Sequence, residues 1–464
     1  MTTREAPGDG GLRTTTEPQD PGAPPDGRGG RGGRLGARIS GGLGRDFWLL
    51  WGGWSVSSVG NGLTVTALPL LAADLTSDPA TLSLVGMADK LPWLLLALMG
   101  GALADRWDRR RAMWVSDALR CAILVVLFVA VLGGWASIPL LMVIAFGITS
   151  IETVYDSSRS AILPMTVPQD RKALERANSR LMTANTVALK FLGPALGGVL
   201  YTVGRAVPVG VDAISFAVSS VFSFLMRGDF RADGARGATT AGTKDAKGTN
   251  DTRPRRAMRR EIGEGVRWLA RHRVLRVFTL VAGLTNMCTV GQLAMLVLYA
   301  RQVMQISDVA YGLLLASVAV GSVTAGFTCR MFTHRLGPAR SALGGVMLGA
   351  LGFTILGFTS EVAFVALGLA VTGYTAMTWN VTTVSIRQTI VPRELIGRVS
   401  SVNRLVAFGL MPVGILLAGQ IATHVSLEAV YRAGGLFGAA VSLIGLLTLS
   451  NAAVEKALHE AEAR

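Results

Sequence analysis

The sequence predicts an all-α membrane protein whose twelve transmembrane helices form two pseudo-symmetric six-helix bundles. Three observations point there: half of the 464 residues are hydrophobic and only 16% charged, the Lys and Arg fall almost entirely on one side, and motifs repeat about 225–228 residues apart. Soluble domains carry about 25% charged residues. Here apolar runs of some twenty residues recur, each long enough to cross roughly 30 Å of hydrocarbon at about 1.5 Å per residue. Lipid offers the backbone no hydrogen-bond partner, so each run must be a helix.

Along the chain, residues 1–46 are rich in Gly, Pro and Arg and read as a disordered cytoplasmic tail. Residues 47–228 are expected to form the first bundle, with spans at 48–74, 82–104, 112–133, 138–158, 180–203 and 207–227. Residues 229–273 are expected to form a cytoplasmic linker, flexible at first and then amphipathic, with Ile262, Val266, Trp268 and Leu269 among many Arg. That helix could lie on the inner leaflet against anionic lipid, or be an ordinary charged linker. The second bundle, 274–450, has spans at 274–299, 310–331, 341–358, 362–384, 400–424 and 427–449, and a cytoplasmic tail covers 451–464.

With both termini inside, 38 of the 45 Lys and Arg fall on the cytoplasmic side, against Arg205, Arg301 and Arg432 outside. That asymmetry fixes the topology of a multi-pass cell-membrane protein and accounts for the net charge of +15 without nucleic acid as a partner. Cys121, Cys288 and Cys329 lie far apart and read as packing residues, so no metal is expected. The chain contains no Gly-x-x-x-x-Gly-Lys-[Ser/Thr], His-Glu-x-x-His or Gly-x-Ser-x-Gly. ATP hydrolysis by that loop and enzyme function are therefore not expected.

The stretch "GALADRWDRRR", residues 101–111, resembles the cytoplasmic signature of the major facilitator superfamily between its second and third helices. Gly101, Asp105, Arg106, Arg109 and Arg110 match, and Asp108 stands where the second Gly is usual. Together with "SSRSAILPMTVP", "RANSRL" and "REIGEGVRWLARHRVLR", it is similar to the bacterial exporters related to enterobactin and macrolide exporters, over about residues 46–450. The resemblance implies a latch that closes the cytoplasmic side. Asp105 would meet the start of the eleventh span near Ser400, and Arg109 an acid at the end of the fourth, for which Asp156 is best placed. "KFLGPALGG" resembles the antiporter motif of the fifth helix; Gly193, Pro194, Gly197 and Gly198 are present, but Leu189 replaces the first Gly. The Arg-x-x-Gln-Gly pattern of drug–proton antiporters is absent from the fourth span.

Ionisable groups inside a span pair with one another or line a pathway. Asp89, Glu152 and Asp212 are candidate proton carriers, with Lys190 near the bilayer midplane as a partner for one of them; Arg120 is expected to pair with Asp117 or Glu152. Asn61, Asn286, Gln292 and Asn380 are candidate cavity residues or interhelical hydrogen-bond donors. The resulting expectation is a monomeric, proton-coupled exporter of a small organic molecule, with no cofactor and with protons and membrane lipids as partners. Import, facilitated diffusion and a transport-inactive receptor are the alternatives.

Overall fold

The computed structural model describes residues 43–96, 108–168, 170–227, 230, 254–392 and 394–462. The first 42 residues, most of the linker between the bundles, and Gly101, Asp105 and Arg106 of the signature lie outside the described residues. Fourteen helices and no strand occur among those described. The first bundle comprises α1 (Arg45–Leu75), α2 (Pro79–Leu96), α3 (Arg109–Leu132), α4 (Ile138–Thr166), α5 (Lys172–Val203) and α6 (Val207–Leu225). The linker helix α7 (Pro254–Arg271) leads to α8 (Arg273–Val303), α9 (Asp308–Leu336), α10 (Pro338–Leu356), α11 (Val362–Ile390), α12 (Ile396–His424) and α13 (Leu427–Thr448). A short α14 (Asn451–Glu462) follows. Eleven of these are long and apolar enough to cross a bilayer; α2, the other expected span, is described over eighteen residues.

Helix ends follow local chemistry. Asp108 begins α3 by accepting from the backbone N–H groups of Arg110 and Arg111 at 3.0 and 3.2 Å. Asp78 does the same for α2, and hydrogen bonds from the hydroxyl and N–H of Thr81 hold its carboxyl below the usual carboxylate range. Pro194 cannot donate to the preceding turn, and α5 widens just before it into a π turn, Thr186–Leu192. Pro412 acts similarly on α12, which breaks at Leu410 between two helical segments. Several helices run beyond their apolar runs, α4 to Thr166 and α5 from Lys172, because helical hydrogen bonding continues where hydrophobicity ends.

Packing repeats between the halves. In the first, α1 lies against α5 and α6, α3 against α4 and α6, and α2 against α4; the same pairs, shifted by seven labels, join α8–α13. The halves meet along two further seams, α2 with α12 and α5 with α9, which the same two-fold relation exchanges. Both seams depend on small residues. A Cβ on Gly312 would sit 2.5 Å from the Pro194 carbonyl oxygen, and one on Gly198 at 2.5 Å from that of Asp308. A Cβ on Gly419 would meet Ser83 at 2.5 Å.

The linker helix departs from a purely lipid-facing amphipathic helix. Leu269 is buried and Trp268 packs with it among residues of α8, α11 and α12, Glu264 pairs with Arg398 of α12 at 2.5 Å, and Val266 is exposed. At the chain end, Asn451 donates to the Leu336 carbonyl at 2.6 Å and accepts from Ala339 N–H at 3.0 Å, binding α14 to the α9–α10 turn.

Replacing Gly312 with Leu should push α9 off α5 and cost about 1–3 kcal/mol or more. Gly326→Leu, on the same helix with nothing within 4 Å, is the control. Thermal loss of monodisperse protein measures both; equal melting would show that the seam tolerates separation.

Candidate functional site

The first bundle holds a string of charges. One turn apart on α3, Arg120 donates to Asp117 at 2.8 Å, with the two side chains 2% and 0% exposed. Ser219 of α6 donates to the other Asp117 oxygen at 2.7 Å. The Arg120 guanidinium stands 4.6 Å from the Tyr155 ring centre and 4.4 Å from that of Phe216. Burying an ion pair is costly unless further contacts compensate; here a hydroxyl completes Asp117 and two π faces flank Arg120, tying α3 to α4 and α6, while Arg120 Nε has no hydrogen-bond partner among the described residues. Of the two acids expected for Arg120, Asp117 is the partner.

Glu152 of α4 makes no hydrogen bond among the described residues, yet lies within the fields of Asp156, Arg120, Lys90 and Asp89. On α2, Asp89 pairs with Lys90 at 2.6 Å and accepts from Thr149 of α4 at 2.7 Å. Asp212 is buried on α6, accepting from Thr64 of α1 at 2.5 Å and from Ser215 at 3.1 Å. Thus α2, α3 and α4 bring Asp89, Lys90, Glu152 and Arg120 together, and Asp212, held on the α1–α6 contact, lies within the fields of Arg120 and Glu152. Lys190, on the π turn of α5, is exposed and has no hydrogen-bond or ion-pair partner among the described residues. The carboxylate expected beside it is absent there. Asn61 is half-buried on α1.

Of the described signature residues, Arg109 reaches the end of α4 but not the expected acid. It donates to the Ala161 carbonyl at 3.3 Å and contacts Met165 Sδ at 3.1 Å. Asp156, five residues earlier and so about 7.5 Å higher along the helix, is taken by Arg159 at 3.6 Å. Arg110 donates to the Phe224 carbonyl and lies over the Phe224 ring. In α5, Gly193 abuts Gly62 and Gly197 abuts Leu63 and Thr66, all on α1, while Pro194 and Gly198 abut α9.

The second bundle carries a cavity of about 350 Å³ among α8, α10, α11, α12 and α13. Asn286, Gln292 and Asn380 line it, together with Trp379, Asn403 and Arg404. Asn286 donates to the Ala407 carbonyl at 3.1 Å, Gln292 to that of Tyr431 at 3.2 Å, and Asn380 to that of Ala376 at 3.0 Å. Phe278 meets Trp379 edge-on at 5.6 Å. An apolar pocket of about 330 Å³, bounded by Met287, Leu417 and Phe437, shares Cys288, Gln292 and Gly434 with it.

A third feature was not foreseen from the sequence. At the end of the bundle opposite the start of α1, Arg301 of α8 donates to Asp74 of α1 at 2.6 Å and to Asp308 of α9 at 3.0 Å. Asp74 also receives Tyr201 OH at 2.6 Å and Arg205 at 3.0 Å, and Gln302 donates to the Ser77 carbonyl at 3.3 Å. This clasp joins the halves at their far end. The available signal was the rarity of cations on that side, where Arg205 and Arg301 are two of three.

The family model for transmembrane secretion effectors matches residues 44–463. The multidrug efflux pump Tap of Mycolicibacterium fortuitum is 24% identical over 388 residues, 81% of this chain and 89% of the relative. The macrolide efflux protein A of Streptococcus pyogenes is 20% identical over 407 residues, 86% of this chain and 94% of that one. The crystal structure of a bacterial homologue of the iron transporter ferroportin, in an inward-facing state, superposes with a TM-score of 0.65 at 15% identity, covering 86% and 98% of the two chains. The last likeness concerns the fold alone.

Asp117→Ala should strand Arg120 and destabilise the first bundle by about 3–5 kcal/mol; Ser219→Ala should cost about 1–2 kcal/mol. Thermal unfolding of the purified variants ranks them. A neutral Asp117→Ala would remove the structural assignment of the pair.

Proposed function

Since the chain belongs to the transmembrane secretion effector family, we propose that it exports small organic molecules across the cell membrane, driven by the proton gradient and acting as a monomer. The end that bears both termini faces the cytoplasm. The observation that supports the reading best is the pair of bundles that touch along two seams and are clasped at the far end by Asp74 and Arg301. Two such bodies can rock about the seams and pass a central site from one side to the other. The outward direction comes from the relatives named as efflux proteins.

The halves divide the work. The charged string Asp89–Lys90–Glu152–Arg120 lies in the first bundle, and the carboxyl of Glu152, free of hydrogen bonds among the described residues, carries the proton. The polar cavity of the second bundle holds the cargo. Release to the outside needs the clasp to part, after which the signature residues, Asp105 among them, hold the cytoplasmic side shut. Asp212, fixed between Thr64 and Ser215, joins helices and does not carry the proton.

Inverted vesicles given a panel of organic compounds that includes a macrolide test the reading. Accumulation should collapse with an uncoupler and need no ATP; accumulation that requires ATP, or none for any compound, would contradict it. Glu152→Gln should lower gradient-driven accumulation to the uncoupled level while sparing substrate exchange between the two sides, which moves no net proton. Asp74→Asn should loosen the clasp. Loss of about 1–2 kcal/mol shifts a two-state ratio roughly five- to thirtyfold, so spin labels at Ser77→Cys and Gln305→Cys should report a larger population at longer distance. An unchanged distance distribution would show that the clasp does not set the equilibrium.

A further inference from the structure

At the mouth of the second-bundle cavity, α11 and α12 bring together two arginines, Arg387 and Arg404. Arg387 is half-buried, Arg404 is exposed into the cavity, and the charge of Arg404 acts on Arg387. Neither side chain has a carboxylate or hydrogen-bond partner among the described residues. The neighbouring Arg398 differs, since Glu264 engages it at 2.5 Å.

The internal repeat gives each arginine a reference. Arg159 of α4 precedes Arg387 by 228 positions and is answered twice, by Asp156 at 3.6 Å and by the face of Trp54 at 4.0 Å. At the position equivalent to Asp156 the second half has Val384. Arg180, in "SRL" against the "NRL" of Arg404, lies over Trp48 at 5.0 Å. The guanidinium groups thus recur in both halves, while the acid of the first has become apolar in the second. Two like charges at the inner ends of membrane-spanning helices, with no acid between them among the described residues, repel each other and call for a counter-ion. An oxyanion would satisfy both, because a guanidinium offers paired donors matched to carboxylate or phosphate oxygens.

We propose that this cavity takes an amphipathic organic anion, its carboxylate or phosphate gripped by Arg387 and Arg404 and its apolar body laid along Phe278, Phe353 and Trp379. The inference names the cargo class of the chamber and so rests on the transport reading. The phosphate of a lipid headgroup has the same chemistry, and the test separates the two sources.

The full-length protein in phosphatidylcholine nanodiscs is titrated by calorimetry with 2-naphthoate, 2-naphthyl phosphate and the neutral 2-naphthamide. Both anions should bind more tightly than the amide, by roughly tenfold per guanidinium. R387Q/R404Q should erase that preference and R387K/R404K should keep part of it. Phosphatidylglycerol in the discs should compete with naphthoate if headgroups share the site, and leave its binding unchanged if only free anions do; either result fits an oxyanion site. Equal affinity for naphthoate and naphthamide, or a preference that survives R387Q/R404Q, would overturn the proposal. The wild-type vesicle assay keeps the two failures apart: a protein that exports without anion preference loses this inference alone, and one that moves nothing loses the transport reading.

Discussion

The contact of bare backbone along two seams is the constraint on which the rest of this molecule depends. In lipid there is no hydrophobic force to press one helix on another, so association relies on close fit. Gly312 against Pro194, Gly198 against Asp308 and Gly419 against Ser83 let the halves approach to backbone distance. These contacts involve few polar groups, so they can slide without stranding a donor or a charge. The "GPALGG" motif of α5 sits in this arrangement with one face on α1 and another on α9. Its glycines therefore serve packing within a half and mating between halves.

The charged groups follow a different logic. In the first bundle three pairs answer each other, Arg120 with Asp117, Arg159 with Asp156 and Asp89 with Lys90, while Lys190 has no partner among the described residues. In the second, the cavity is lined by amides, hydroxyls and arginines, with aromatic rings as walls. Two bundles with the same helix pairings have thus diverged in chemistry. Such divergence is what the division of labour proposed above would require.

Much of this was legible in the sequence. Hydropathy and the Lys and Arg count gave the helices, because bilayer thickness and the cost of an open backbone leave few alternatives. The repeat of Arg before Pro, Arg159 and Arg387, gave the two-fold relation of the halves. Asp117 could be named for Arg120 because a separation of three residues on a helix fixes proximity. Long-range partners were harder. Asp156 stood out for Arg109 because the resemblance implies an acid at the end of the fourth span, and nothing local reveals that Arg159 already holds it. The clasp of Asp74 with Arg301 joins residues 227 positions apart, a pairing set by how the halves mate and invisible to periodicity. The break of α12 at Leu410 and the widened turn of α5 both precede a Pro, whose missing N–H marks the site of an irregularity but not its form.

That widened turn has a mechanical meaning. A π turn stores one residue more than an α-helix uses over the same length, and here it lies between a polar segment at the terminal end and the stiff Gly-Pro segment seated on α1 and α9. The surplus can travel one step along the rod, as a kink moves down a carpet. A step would turn only the residues it passes, Lys190 among them, while the segments on either side keep their seats.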